Sequence, residues 1–130
     1  MTRGIRNNNP GNVRRTPGIP WKGMSAVQTD PDFLTFDGPE YGIRAIVRIL
    51  RSYERLGLRT IDEIINRWAP PNENNSEAYV HDVCAQCGIP ADAQVSIENI
   101  LPMLVRAIIA HENGTCPYTD DQIQTGIGLA

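Results

Sequence analysis

Carboxylates are the side chains of this sequence whose setting could make them do chemistry. Glu112 stands in "LVRAIIAHENGT", where an apolar helical stripe runs into an acid, an amide and a glycine. The stripe of Leu101, Leu104, Val105, Ile108 and Ile109 carries Glu112 to the edge of a core. A helix C-terminus also disfavours negative charge. Both effects favour the neutral acid, the form that protonates a glycosidic oxygen. Glu40 falls in the first turn of an expected helix, where the dipole favours its charged form and capping is its ordinary use. Glu73 lies in a polar loop and Glu77 in a first turn, where solvation accounts for both.

Other chemistries find less support. The three cysteines are Cys84, Cys87 and Cys116. His81 precedes "CAQC" by a spacing that puts His81, Cys84 and Cys87 on one helix face. A structural zinc site usually shows two paired ligand knuckles, and here there is one. Free cysteine more often serves as a small core hydrophobe, so reduced thiols, no metal and no cofactor are expected. His111 and Cys116 are close in sequence, which is no evidence for a nucleophile–base pair. No glycine-rich phosphate loop follows a strand, and "AHENG" lacks the second histidine of a zinc-protease helix.

The elements that must position these groups read mainly as helices. A chain of 130 residues suits one domain over 1–130, large enough for a core without staples. Residues 1–36 are irregular, dense in Asn, Pro and Gly. "AVQT" and "FLTF" lean towards β structure and predict a small hairpin. Asp37 and Glu40 are spaced like a capping box, followed by Ile43, Ile46, Val47, Leu50 and Tyr53 at helical spacing. Thr60 and Glu63 open a second helix. Ser76 starts a third, with Tyr79, Val80, Val83, Cys84 and Cys87 inward. Ser96 caps a fourth that runs to about His111. Thr119 and Gln122 mark a last short one. Net charge is −3, with Arg3, Arg6, Arg14, Arg15 and Lys22 gathered early and an acidic C-terminal half. That argues against a nucleic-acid binder; a basic edge would still suit an anionic polymer. No apolar run approaches the roughly 18 residues of a membrane span, and "MTRGIRNNNPGN" has no apolar region of a secretory signal.

The string "RGIRNNNPGNVR…WKG…FLTFDGPEYGIRAIVRIL…IINRWAPPNENNSEAYV…RAIIAHENG" resembles a family of small phage and prophage proteins, often labelled virion structural proteins, over nearly the whole chain. A more distant similarity is to the lysozyme-like superfamily, especially flagellar-type glucosaminidases and lytic transglycosylases. There a helix ending in an "ESGWG"-like motif precedes an Asn-rich turn, a "WKG" hairpin and a strand-to-helix junction. Here "NNPGNVR", "WKG" and "FLTFDGPE" occur in that order, while "LVRAIIAHENG" stands at the other end. This implies a circular permutation, since chain ends often lie close together. "HENG" replaces the expected "ES" pair with Glu–Asn, and no tryptophan follows Gly114.

The resemblance implies a mainly α, lysozyme-like α+β fold of four to five helices with a small β-hairpin and a long N-terminal loop. It implies cleavage of peptidoglycan glycan strands by hydrolysis or lytic transglycosylation. Glu112 would be the general acid, and a second carboxylate, if used, would be Glu40 or Glu73. Asn8, Asn9 and Asn12 would bind acetamido and hydroxyl groups. Trp21, Tyr41 or Trp68 would stack on sugar faces, although the helical spacing of Trp68 from Ile61, Ile64 and Ile65 fits the core better. The expected setting is a phage virion or host cytoplasm, with action at the cell wall. Other virion proteins are expected as partners, and nucleic acid is not. The competing expectation is a non-catalytic virion structural or glycan-binding module of the same fold. Fold alone does not separate the two.

Overall fold

The computed structural model describes residues 1–130. Six helices follow in order: α1 Arg3–Arg6, α2 Pro39–Arg55, α3 Ile61–Trp68, α4 Ser76–Cys87, α5 Ile97–Asn113 and α6 Asp120–Leu129. The longest two, α2 and α5, carry the core. Ile43, Ile46 and Leu50 of α2 share one buried cluster with Leu104, Val105 and Ile108 of α5, Ile64 and Ile65 of α3 and Val83 of α4. Ile123 of α6 lies in the same cluster. These apolar stripes are the ones that the helical spacing of the sequence sets out.

The capping chemistry differs from element to element. Thr119 and Gln122 form a complete capping box on α6. Thr60 accepts from the Glu63 amide at the start of α3. Gly38, not Asp37, is the N-cap of α2, and no side chain caps it. Asn75, one residue ahead of the expected start, caps α4 through the Ala78 amide. Ser96 makes no side-chain cap on α5. Glu54 of α2 replaces it, accepting from the Ile97 amide at 2.6 Å and from Ser96 Oγ at 3.2 Å.

The α+β expectation is overturned: the chain is all-helical, with no strand and no sheet. Where a hairpin is expected, only isolated bridges join Arg14 to Phe33 and Met24 to Phe36. The physical reason lies in side chains that take the ladder's hydrogen bonds. Gln28 donates to the carbonyls of Ser25 and Thr35 and accepts from the Thr35 amide, all at 2.9–3.0 Å. Asp30 accepts from the amides of Asp32 and Phe33. A strand partner would need those same backbone groups. The lysozyme-like α+β architecture with its hairpin is therefore not the fold of this chain. The N-terminal stretch also holds the short helix α1, which the sequence reading leaves irregular.

The N-terminal turn is bound tightly to α2. Asn8 and Asn12 both adopt left-handed backbone, with φ of 52° and 49°, a region asparagine tolerates better than most residues. A Cβ on Gly42 would stand 2.0 Å from the Asn8 carbonyl oxygen, so only glycine lets α2 lie against this turn.

Candidate active site

The last turn of α5 presents Glu112, and two donors grip its carboxylate. Asn12 Nδ2 donates to Oε1 at 2.9 Å, and the Tyr79 hydroxyl donates to Oε2 at 2.8 Å. Tyr79 Oη in turn accepts from Trp68 Nε1 at 3.1 Å. His111 stacks on the Tyr79 ring with centroids 3.7 Å apart, and its Nδ1 lies 2.8 Å from Asp82 Oδ2. Four segments therefore converge on one carboxylate: the N-terminal turn, α3, α4 and α5.

The site is held in place by Asn113, the next residue, which is buried. Its amide donates to the carbonyls of Pro10 and Ile109, and Thr2 Oγ1 donates to its Oδ1 at 2.6 Å. Gly114 then ends α5 in the left-handed conformation at φ 78°. This fastening brings Asn12 within reach of Glu112 across 100 residues of sequence.

Glu112 opens onto a cleft of about 250 Å³. Asn12, Arg14, Phe33, Tyr53, Trp68 and Glu73 are among the residues lining it. A second recess, of about 270 Å³, shares Glu112 and Asn74 with the first and is bounded by Tyr79 and His111. The carboxylate thus stands between two recesses. Aromatic faces, amides and carboxylates together suit a polar ligand with flat apolar faces.

The electrostatics keep the Tyr79 phenol protonated. Burial, followed by the neighbouring Glu112 charge and its hydrogen bond, holds the Tyr79 hydroxyl well above its ordinary range. Tyr79 is therefore a fixed donor. On the far edge of the N-terminal loop, Arg3 grips Asp30 through two hydrogen bonds at 2.5 Å and reaches Asp32 at 2.9 Å. The hydrogen bond from Arg3 holds the Asp30 carboxyl well below the usual carboxylate range.

With this geometry in view, one known protein is informative. The chain is 43% identical over 127 residues to Protein P5 of Pseudoalteromonas phage PM2, a match covering 95% of this chain and 79% of that protein. The chain belongs to the family of this phage protein. No family model matches it.

The structure of this P5-family chain gathers some of the sequence's candidate residues and separates others. Glu112, Asn12 and Glu73 share the cleft. Asn8 and Asn9 spend their amides on backbone: Asn8 donates to Phe36, and the fully buried Asn9 donates to Val13 and Leu34. Trp21 and Tyr41 pack on the small cluster of Val13, Leu34, Phe36 and Ala45, outside the cleft lining. Glu40 is also outside it, with its carboxylate folded over Gly38 at the start of α2. Trp68 does line the cleft, half-buried, and also packs on the core.

Of the two partners of Glu112, Asn12 is a candidate that the sequence names, and Tyr79 is the one that sequence reasoning missed. Tyr79 reads as an inward apolar residue of its helix, and its hydroxyl was the available signal, since a buried tyrosine needs a hydrogen-bond partner. Nothing in the spacing points to Asp82 or to Asn113 as a fastener. The cysteines are all free, and burial pushes Cys87 up to about 11. His81 is exposed, and Cys116 Sγ lies 3.8 Å from an Arg106 nitrogen. No group of three or more His, Cys, Asp or Glu side chains comes together as a metal site. No helix is long and apolar enough to cross a membrane.

Proposed function

We propose that this phage protein is virion-associated and cleaves the glycan strand of peptidoglycan, by hydrolysis or by lytic transglycosylation, with Glu112 as general acid. The observation that carries this reading is a single carboxylate held between two recesses, beside the Trp68 and Phe33 rings. A polymeric sugar needs room on both sides of the bond it loses, and its faces need apolar surface. Glu112 would protonate the leaving oxygen, and Glu73 is the second carboxylate in the cleft. A lone acid suffices where the substrate's own groups assist. Asn12 meets Glu112 across the chain, which puts a side-chain amide beside the acid in the same cleft.

A second reading has its own observation. Both oxygens of Glu112 already accept hydrogen bonds within the chain, from Asn12 and from Tyr79, so the carboxylate is fully partnered without a ligand. That favours a non-catalytic virion or glycan-binding module built on the same helices. Incubation of purified protein with peptidoglycan separates the two. Released muropeptides with anhydro ends mean transglycosylation, and reducing ends mean hydrolysis. Binding without any product, across acidic and neutral pH, sinks the enzyme reading.

A further inference from the structure

Two guanidinium groups lie over the Phe33 ring, and only one of them has its charge matched within the chain. Arg3 is 4.5 Å from the ring centroid and Arg14 is 5.2 Å from it. Arg3 pairs with Asp30 at 2.5 Å and with Asp32 at 2.9 Å. Arg14 pairs with no carboxylate: the ion pairs of the chain are made by Arg3, Arg51, Arg106 and His111. An exposed arginine without a partner is ordinary. What sets Arg14 apart is its place. Arg14 and Phe33 line the cleft onto which Glu112 opens, and Arg14 is the one cationic side chain among its lining residues.

The backbone fixes where this cation stands. Arg14 is bridged to Phe33, and the neighbouring Arg15 amide donates to the Asp32 carbonyl at 2.9 Å. Asn12 is only two residues away, so its Cα is at most about 7 Å from that of Arg14. Asn12 itself touches Glu112 at 2.9 Å. An anion held by Arg14 therefore sits in the neighbourhood of the bond that faces Glu112. The cleft's own carboxylates do not take up the charge. Glu112 is occupied by Asn12 and Tyr79, and Glu73 forms no ion pair. A neutral sugar polymer has no group for this cation. A carboxylate does, because the guanidinium fork matches it with two parallel hydrogen bonds.

We propose that Arg14 is a specificity-determining residue that binds a carboxylate of the substrate. The cleft then takes acidic glycan strands, with lactyl or stem-peptide carboxylates, in preference to neutral N-acetylglucosamine polymers. The idea rests on the glycan reading of this site and names its substrate class. Phe33 holds the guanidinium by its face, leaving the edge with its N–H groups for the ligand.

The test is equilibrium binding to the Glu112→Gln chain, so that no probe is consumed, and to the same chain with Arg14→Gln or Arg14→Lys. Three probes are used: chitin oligosaccharides, peptidoglycan strands stripped of peptide, and peptide-bearing strands with their amines acetylated. Each acidic probe is also prepared with its carboxyls converted to methylamides. Conversion is expected to weaken binding about tenfold, the scale of one charge-assisted contact. Arg14→Gln should erase that difference and leave chitin binding unchanged, and Arg14→Lys should keep part of it. A loss seen with stripped strands identifies the lactyl carboxylate, and one confined to peptide-bearing strands identifies the stem peptide. Methylamides that bind as well as the acids overturn the proposal. So does an Arg14→Gln effect of equal size on chitin, which would make Arg14 a mere wall, and so does failure of every strand to bind. Cleavage by the parent chain without carboxylate discrimination sinks the Arg14 proposal alone. Discrimination without cleavage supports it and sinks the glycosidase reading in favour of a glycan-binding module.

Discussion

Glu112 and Tyr79 form a pair whose two members predict different failures. Glu112→Gln removes the titrating proton in a nearly isosteric side chain. General acid catalysis contributes roughly 10²–10⁴ in rate, so muropeptide release is expected to fall by that factor. The Gln amide meets one donor badly, a loss of about 1 kcal/mol, so the fold survives and a melting curve shows it. Glu40→Gln is the control: its carboxylate lies over Gly38, outside the cleft, and cleavage should be unchanged. If Glu40→Gln stops cleavage and Glu112→Gln does not, the assignment of the acid is reversed. Tyr79→Phe acts differently, because Tyr79 Oη both donates to Glu112 and accepts from Trp68 Nε1. The half-buried indole N–H loses its acceptor, at about 1–3 kcal/mol. Chemical denaturation should show that loss, and a variant as stable as the parent would mean that the Trp68–Tyr79–Glu112 chain holds nothing together.

At the scale of elements, the helices show which signals are local. Glu54 sits on α2 and caps α5 through the Ile97 amide. Glu54→Ala is expected to cost about 1 kcal/mol, like loss of an N-cap. Amide exchange should rise at the start of α5 and leave α6 unchanged, since Thr119 and Gln122 cap α6 from its own sequence. Uniform loosening of both helices would contradict this. The same contrast explains what was legible in the sequence. Thr119 with Gln122, and the stripes of α2 and α5, depend on neighbours three or four residues away, so spacing reveals them. The cap from Glu54, the Asn113 fastening and Tyr79 on Glu112 join residues 33 to 111 apart, and no local pattern encodes them. The false hairpin has the same origin. "AVQT" and "FLTF" have β propensity, but Gln28 and Asp30 occupy the backbone groups a ladder would need. Glu112 is legible as a candidate because its signal is local, an apolar stripe running out at an acid.

Over the whole molecule, the N-terminal segment is tied down at both ends of its path. Asn113→Ala removes the bonds to Thr2 and Pro10. It should cost about 1–3 kcal/mol, the range for stranding buried polar groups, and should speed exchange at the Asn9 and Asn12 amides. Unchanged exchange there would mean that the turn is held by packing alone. The Arg3–Asp30 tie is sensitive to acid. Asp30 has its folded pKa depressed, chiefly by the hydrogen bond from Arg3. Its stabilising contribution is therefore present above the unfolded value, about 3.9, and is lost as pH falls towards the folded value. The melting temperatures of the parent and Asp30→Asn should differ most near neutrality and draw together below about pH 4; a constant gap would rule the ion pair out as the cause. The span of 100 residues from Asn12 to Glu112 also sets a timetable on the ribosome. Synthesis at about 5–20 residues per second separates the two by roughly 5–20 s. Through that interval the nascent chain owns the amide but not the acid, so a wall-cutting activity seated at Glu112 would stay silent until translation had passed the end of α5.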